Sequence, residues 1–270
     1  MSPPRSDAHD LWMAIARLVD LLGDAADHLL VIGGVLPSML AANAPTIPTH
    51  WGTNDVDLLL ITDPTRDLGL LEAGLERARF VPVPKKSGWQ WGGRLHDEEL
   101  LLEVLCDVDG YGTADSVALA GCKHLRAGNF RGPRFAAMDP TTVGVSLDGR
   151  TVDVPTTGLA GYLFAKAHAL VIRQDDKDFY DFVYVVLNSK VGDPRDVARL
   201  IRAGPLALEI QHTREIWAAI GEQFQNPNQS GPLHYAHYTT SKNPEGSTPE
   251  QLKQDAVVGV QRFLDLLLAA

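Results

Sequence analysis

The stretch Thr53-Asn54-Asp55-Val56-Asp57-Leu58-Leu59-Leu60-Ile61 decides how this chain is read. Asp55 and Asp57 alternate with apolar residues, and a strand sends residues i and i+2 to the same face. Two carboxylates side by side at the start of a strand repel unless a cation lies between them. A hard divalent cation such as Mg²⁺ suits them, because it binds through one or two carboxylates plus substrate phosphates. Asp-x-Asp also occurs in solvated loops and edge strands, so the pair alone does not define a site.

What precedes it sharpens the reading. The apolar run Leu29-Leu30-Val31-Ile32 predicts a strand ending in Gly33-Gly34, with Ser38 four residues later. A glycine pair after a strand lets the backbone approach a phosphate, and the N–H groups of the next helix can cradle it. A Gly-Gly pair is also an ordinary turn. The order strand, Gly-Gly, helix, Thr-x-Asp-x-Asp and apolar strand is what points to phosphoryl chemistry.

The bulk numbers bound the possibilities. With 270 residues the chain is long enough for one large domain or two ordinary ones, and 45% apolar against 21% charged residues can bury a core. Its two cysteines, Cys106 and Cys122, have no metal-ligand spacing and are expected to be reduced thiols. The opening Met1-Ser2-Pro3-Pro4-Arg5-Ser6-Asp7 is polar and no long apolar stretch follows, so the expectation is a soluble, cytoplasmic protein without a membrane span. A net charge of −10 argues against broad, unspecific nucleic-acid binding. Locally, Lys123, His124, Arg126, Arg131 and Arg134 fall in a segment free of acidic residues, and Lys85 and Lys86 form a smaller cluster. Such a patch either holds phosphates or RNA backbone, or is a solvated loop.

Apolar spacing predicts a helix over 8–28 with Gly23 as a stop, a strand at 29–32, a short helix at 36–40 and a loop over 43–52. A Leu-rich helix follows over 67–79, then an extended segment at 80–84 and a short strand around Trp89-Gln90-Trp91. Glu99-Leu100-Leu101-Leu102-Glu103-Val104-Leu105-Cys106-Asp107 reads as an interior strand interrupted by Glu103. A buried, unpaired carboxylate is costly, so Glu103 is either salt-bridged at an edge or functional. If this strand lies beside the Asp55/Asp57 strand, Glu103 becomes a third metal-site carboxylate, with Asp107 the second choice. Residues 141–154 form a hairpin around Asp148-Gly149, and Pro155-Thr156-Thr157-Gly158 punctuates the chain. The fold class is thus α/β in the α+β sense: a mixed-sheet domain over 1–157 and a mainly helical domain over 158–270. Within the latter, 225–249 reads as a long loop rich in Asn, Pro and Gly, and 249–269 as an amphipathic helix. His234 and His237 fall in that loop and read as surface residues, and Ser38 lacks the His-Asp partners of a nucleophile.

Two further residues stand out. Lys166 sits inside the apolar helix Leu163-Phe164-Ala165-Lys166-Ala167-His168-Ala169-Leu170, and a buried lysine needs an anion. Asp178 and Asp181 follow at i and i+3 in Lys177-Asp178-Phe179-Tyr180-Asp181, on one helical face. A structural Lys–Asp bridge explains these residues, and so does a lysine for substrate phosphates with an aspartate completing a catalytic site.

Taken together, Gly33-Gly34, Thr53-x-Asp55-x-Asp57, Glu103, Lys166-Ala167-His168 and Lys177-Asp178-x-x-Asp181 resemble the AbiEii-like nucleotidyltransferases, MenT-like toxins of type IV-like toxin–antitoxin and phage-defence systems. The resemblance spans about residues 29–187. It implies a polymerase-β-like nucleotidyltransferase domain whose active site is completed by the helical domain. Gly33, Gly34, Ser38 and Thr53 would then bind the nucleotide, and Asp55, Asp57 and Glu103 would bind Mg²⁺ or Mn²⁺. Lys166 and Asp178 would join the catalytic set, Lys166 on the triphosphate. The chain departs from the family at His50-Trp51-Gly52, where an arginine is usual, and at Lys177, which replaces another.

The implied reaction is Mg²⁺-dependent transfer of a nucleoside monophosphate from an NTP to RNA, with the tRNA 3′ end as acceptor, so that translation is blocked. Lys123, Arg126, Arg131 and Arg134 are the candidate RNA contacts, and a cognate antitoxin is an implied partner. Two other readings stay open. One is a degraded fold that binds a nucleotide or partner without turnover. The other is nucleotidylation of a small molecule such as an aminoglycoside, which suits the acidic net charge.

Overall fold

The computed structural model describes residues 8–44, 47–53, 55–84, 88–95 and 98–269; Lys85 and Lys86 lie outside them. In chain order the first elements are α1 (Ala8–Leu22), β1 (Leu29–Ile32), α2 (Pro37–Leu40), β2 (Asp55–Leu60) and α3 (Gly69–Arg77). Strands β3 (Val81–Pro82), β4 (Gln90–Leu95), β5 (Glu98–Cys106), β6 (Ser116–Ala118), β7 (Arg126–Asn129), β8 (Pro140–Leu147) and β9 (Arg150–Thr157) follow. The remainder is helical: α4 (Leu159–Arg173), α5 (Asp176–Asn188), α6 (Pro194–Ala203), α7 (Glu209–His212), α8 (Arg214–Gln223), α9 (Ser230–Lys242) and α10 (Pro249–Leu267).

These elements form two compact units. One runs through Val35 and resumes from Gly52 to Gly158; the other takes Leu36–Trp51 and the chain from Leu159. The segment 36–51 therefore folds with the helices, although it precedes most of the sheet in sequence. Its Ala41 bridges Ser189, and the Tyr184 hydroxyl donates to the Pro48 carbonyl.

The first unit is built on a mixed sheet whose main path is β3-β4-β5-β2-β1-β9-β8, with β7 beside β5 and β6 beside β7. Its centre is the parallel pair β2 and β5, in register from Asp55 opposite Leu101 to Leu59 opposite Leu105. Alternation sends Val56, Leu58, Leu102, Val104 and Trp91 to one face, where all are buried. Helix α1 packs against β4, β5, β8 and β9. The opposite face carries Asp55, Asp57 and Glu103 and, further along, the cluster Leu30, Ile32, Leu59, Leu105 and Ala136. The hairpin expected at 141–154 is present and turns through Asp148 and Gly149, both at positive φ (51° and 79°), as a two-residue turn with right-handed strand twist requires. Pro155-Thr156-Thr157 does not interrupt the chain as expected; these residues continue β9, with Pro155 opposite Thr142.

The second unit is helical around α5, which packs against α4, α9 and α10. Phe164, Trp217 and Phe263 meet edge to face, and Phe182 packs on Phe263. One expectation is overturned here. Residues 230–242, read as part of a long loop, form α9. Pro232 sits in its first turn, where a missing N–H costs nothing. Gly231 is required where it lies, because a Cβ there would meet the Phe224 ring at 2.5 Å. Thr239 and Thr240 return their hydroxyls to the carbonyls four residues back, so polar side chains are accommodated within the helix. Among the described residues no helix is long and apolar enough to cross a membrane. Cys106 and Cys122 are both free thiols, pushed up by burial to about 12 and about 11.

Candidate metal centre

The apolar residues of β2 and β5 fix the position of three carboxylates. Val56 and Leu58 on β2, and Leu102 and Val104 on β5, are held in the core. The alternate residues Asp55, Asp57 and Glu103 are thereby forced to the other face. Asp57 is directly opposite Glu103 in the ladder, and one oxygen from each of the three carboxylates lies within 4.8 Å of the others. All three are half-buried.

The arrangement groups Glu103, and not Asp107, with Asp55 and Asp57. Asp107 lies past the end of β5 with its side chain 1% exposed. It accepts from Arg131 at 3.2 Å, from Arg134 at 2.8 Å, and from the backbone N–H groups of Gly132 and Arg134. Asp107 thus ties down the 131–134 turn, and Glu103 is the third member of the acidic group.

Gly33 backs the site. Ile32 is opposite Asp57 in the β1–β2 pair, and the chain then turns through Gly33 at φ 78°. A Cβ at Gly33 would lie 1.8 Å from Asp57 Oδ2, so only glycine leaves room for this carboxylate. Gly34 and Val35 complete a 3₁₀ turn, and Ser38 lies on α2 in the helical unit. Thr53 donates its hydroxyl to Asp55, and Gln90 donates its amide to Glu103 from the facing position on β4. Gln90 was not legible as a site residue. Its role depends on cross-strand register, which its own short strand does not reveal.

The donor set fits a hard divalent cation. It consists of carboxylate oxygens, close enough together that their like charges oppose one another, and a cation between them relieves that repulsion.

Lys166 and Asp178, also expected at the site, are brought together in the helical unit. Lys166 Nζ lies 2.9 Å from Asp178 Oδ1 and 2.7 Å from Asp181 Oδ2, with all three residues buried. His50 Nε2 meets Asp181 at 2.9 Å, and Arg173 reaches Asp178 at 3.0 Å. Burial alone would depress Lys166, but the two carboxylates outweigh it and hold the ammonium well above its ordinary value. Burial likewise opposes ionisation of Asp181, yet the charge of Lys166 and the His50 hydrogen bond keep its carboxyl well below the usual range. His50 also stacks on Tyr180 at 5.0 Å and meets the edge of Tyr184 at 4.8 Å. The sequence singled out Lys166, Asp178 and Asp181 but not His50, which is 131 residues distant from Asp181.

The basic segment is less free than its sequence suggests. Arg131 and Arg134 both bond Asp107 and Asp109, and Arg126 donates to the Ser116 hydroxyl at 2.6 Å. Lys123 is exposed, while its backbone N–H and those of His124 and Leu125 donate to the Glu72 carboxylate. Burial opposes ionisation of Glu72, but these three bonds prevail and lower its pKa. His234 and His237 lie on α9 rather than in a loop, and both contact the Asp176 carboxylate at the start of α5.

Compared with known proteins, the chain matches no family model, no curated protein and no solved structure.

Proposed function

We propose that the chain is a nucleotidyltransferase that moves a nucleoside monophosphate from an NTP to an acceptor hydroxyl and releases pyrophosphate. The observation that carries this reading is the convergence of Asp55, Asp57 and Glu103 within 4.8 Å on one face of a parallel strand pair. These residues would hold Mg²⁺ or Mn²⁺, which when bound supplies the positive charge that a triphosphate needs in order to sit beside carboxylates. The polymerase-β-like fold is part of the same proposal, resting on the resemblance and on the mixed α/β architecture.

The chain's own residues account for the rest. Gln90 fixes the orientation of Glu103, and Thr53 fixes that of Asp55. Glu103 takes the proton of the acceptor hydroxyl. The hydroxyl oxygen then bonds to the α-phosphorus, the bond from that phosphorus to the bridging oxygen breaks, and pyrophosphate departs with the electron pair. Gly33 keeps the wall behind Asp57 bare of a side chain. Lys166 and Asp178 act as a positioning pair that holds α4 and α5 in register within the helical unit.

The acceptor in this reading is RNA at the tRNA 3′ end, with a cognate antitoxin as partner, as the resemblance implies. One observation favours a second acceptor class. Arg131 and Arg134 are each bonded to two carboxylates, which leaves Lys123 as the exposed cation of the segment with no carboxylate bonded to it among the described contacts, and suits a small, cationic acceptor better than a long RNA backbone. Asp57→Ala tests the site: loss of nucleotide incorporation with an unchanged circular dichroism spectrum supports it, and full incorporation refutes it.

A further inference from the structure

A cavity lies in the sheet unit, and none of Asp55, Asp57 or Glu103 lines it. It has a volume of about 770 Å³, within the roughly 300–1,000 Å³ typical of small-molecule sites. It opens where the parallel strands β2 and β5 end: Leu59–Thr65 form one wall, and Asp107–Asp109 form another. In sheets of parallel strands, ligands characteristically bind beyond the carboxyl ends.

The walls are fixed rather than loose. Leu68 N–H donates to the Ala120 carbonyl, and Ala120 N–H donates to the Pro64 carbonyl, which staples the loop after β2 to the segment after β6. The floor is apolar: Leu59, which belongs to the core cluster beneath the sheet, together with Val117 and Leu119. The rim is acidic. It carries Asp63, Asp107 and Asp109. The Asp107 side chain is buried, and it and Asp109 are both bonded by Arg131 and Arg134, so among these carboxylates Asp63 is the one at the mouth not held by an arginine. Asp63 differs from the other two. Its carboxylate accepts from Thr65 N–H and the Thr65 hydroxyl at 2.8 Å each, which fixes its orientation while leaving its negative charge without a bonded cation among the described contacts.

An apolar floor selects an apolar body. The Asp63 carboxylate at the mouth is bonded only by Thr65, with Arg66 near enough to attract it but not bonded to it among the described contacts, and it offers a partner for a positive head. We propose that this cavity is a binding site for a small apolar ammonium compound whose cation pairs with Asp63. The inference does not depend on nucleotidyl transfer, and it assigns the chain a ligand besides any NTP.

The experiment is an amide-resolved NMR titration of the full chain with phenethylammonium, and in parallel with 3-phenylpropionate, which has a similar body and the opposite charge. Saturable shifts at residues 59–65, 107–109 and 117–120 with the ammonium compound, and none with the carboxylate, are expected. Asp63→Asn keeps an acceptor for Thr65 but removes the charge, and should weaken the ammonium compound about two- to fivefold, the scale of an exposed ion pair. Ala118→Trp, at an exposed lining position, should abolish binding by filling the mouth. The spectrum of each variant reports its own folding. Equal binding of the carboxylate, shifts located elsewhere, no shift at millimolar ligand, or undiminished binding in Ala118→Trp would each overturn the proposal.

Discussion

Asp57 and Glu103 face each other across the parallel ladder of β2 and β5, directly opposite in register, with Gly33 closing against the back of Asp57. This relationship ties the candidate chemistry to the core. The same alternation that buries Val56 and Val104 presents the carboxylates on the other face.

Glu103 and Asp107 should therefore separate by mutation. Glu103→Gln is expected to lower nucleotide incorporation by more than the roughly 10–100-fold of an outer-shell change, with little loss of stability. Asp107→Asn should retain incorporation and lower the melting temperature, because it strips charge from a buried carboxylate that anchors Arg131 and Arg134. Assaying both variants beside their thermal unfolding curves checks the pair. The reverse pattern would assign the third carboxylate to Asp107.

Gly33→Ala should damage both fold and site. The new Cβ would overlap Asp57 Oδ2, and alanine disfavours φ 78°. A destabilisation above about 1 kcal/mol in urea unfolding is expected, together with loss of incorporation. Gly34→Ala, one residue on, is the comparison, and equal effects at the two positions would contradict the account.

The buried Lys166–Asp178–Asp181–His50 group predicts a pH signature. A carboxyl held below its unfolded value, about 3.9, stabilises the fold at every pH above that value, and its contribution declines as pH falls below it. An ammonium held above its unfolded value, about 10.4, stabilises below that pH, and its contribution is lost as pH climbs past its folded value. Asp181 and Lys166 are shifted in these directions. Lys166→Met leaves the fully buried Asp181 without its lysine and Asp178 with only the half-exposed Arg173, and should cost about 3–5 kcal/mol near neutral pH. That gap should narrow in acid, where protonation relieves the variant. Urea unfolding from pH 3 to 8 measures it, and a constant gap would show that the network is not the cause.

The basic segment gives a contrast in salt dependence. If RNA is the acceptor, Lys123→Ala should reduce the slope of log affinity against log salt by about 0.7–0.9, the effect of one phosphate contact. Arg134→Ala should leave the slope nearly unchanged, because its guanidinium is bonded to Asp107 and Asp109. A lower slope for Arg134→Ala would mean that RNA displaces those carboxylates.

Most of the sheet unit was legible because each strand carries its own period. The alternation around Asp55 and Asp57, the apolar run around Glu103 and the Asp148-Gly149 turn all correspond to observed elements. Helix α9 was not, because Gly231, Pro232 and a row of Tyr, His and Thr mask its buried positions, and Tyr235 and Ala236 are held by tertiary packing instead. The acidic group was legible once β2 and β5 were taken as neighbours. Gln90 and His50 were not, since each acquires its partner through long-range register or packing that no local pattern records. The pairing of Arg131 and Arg134 was hidden for the same reason: the carboxylates that bond them, Asp107 and Asp109, lie upstream of the run itself.

The most direct measurement incubates the purified chain with each labelled NTP, Mg²⁺ and deproteinised total RNA, beside an Asp55→Ala/Asp57→Ala control. The account predicts label in a tRNA-sized band with at least one NTP, absent from the control. Label in a small-molecule product on adding a cationic acceptor would retain the chemistry and move the acceptor. Binding of NTP with no transfer to any acceptor would contradict the central claim and leave a nucleotide-binding module in its place.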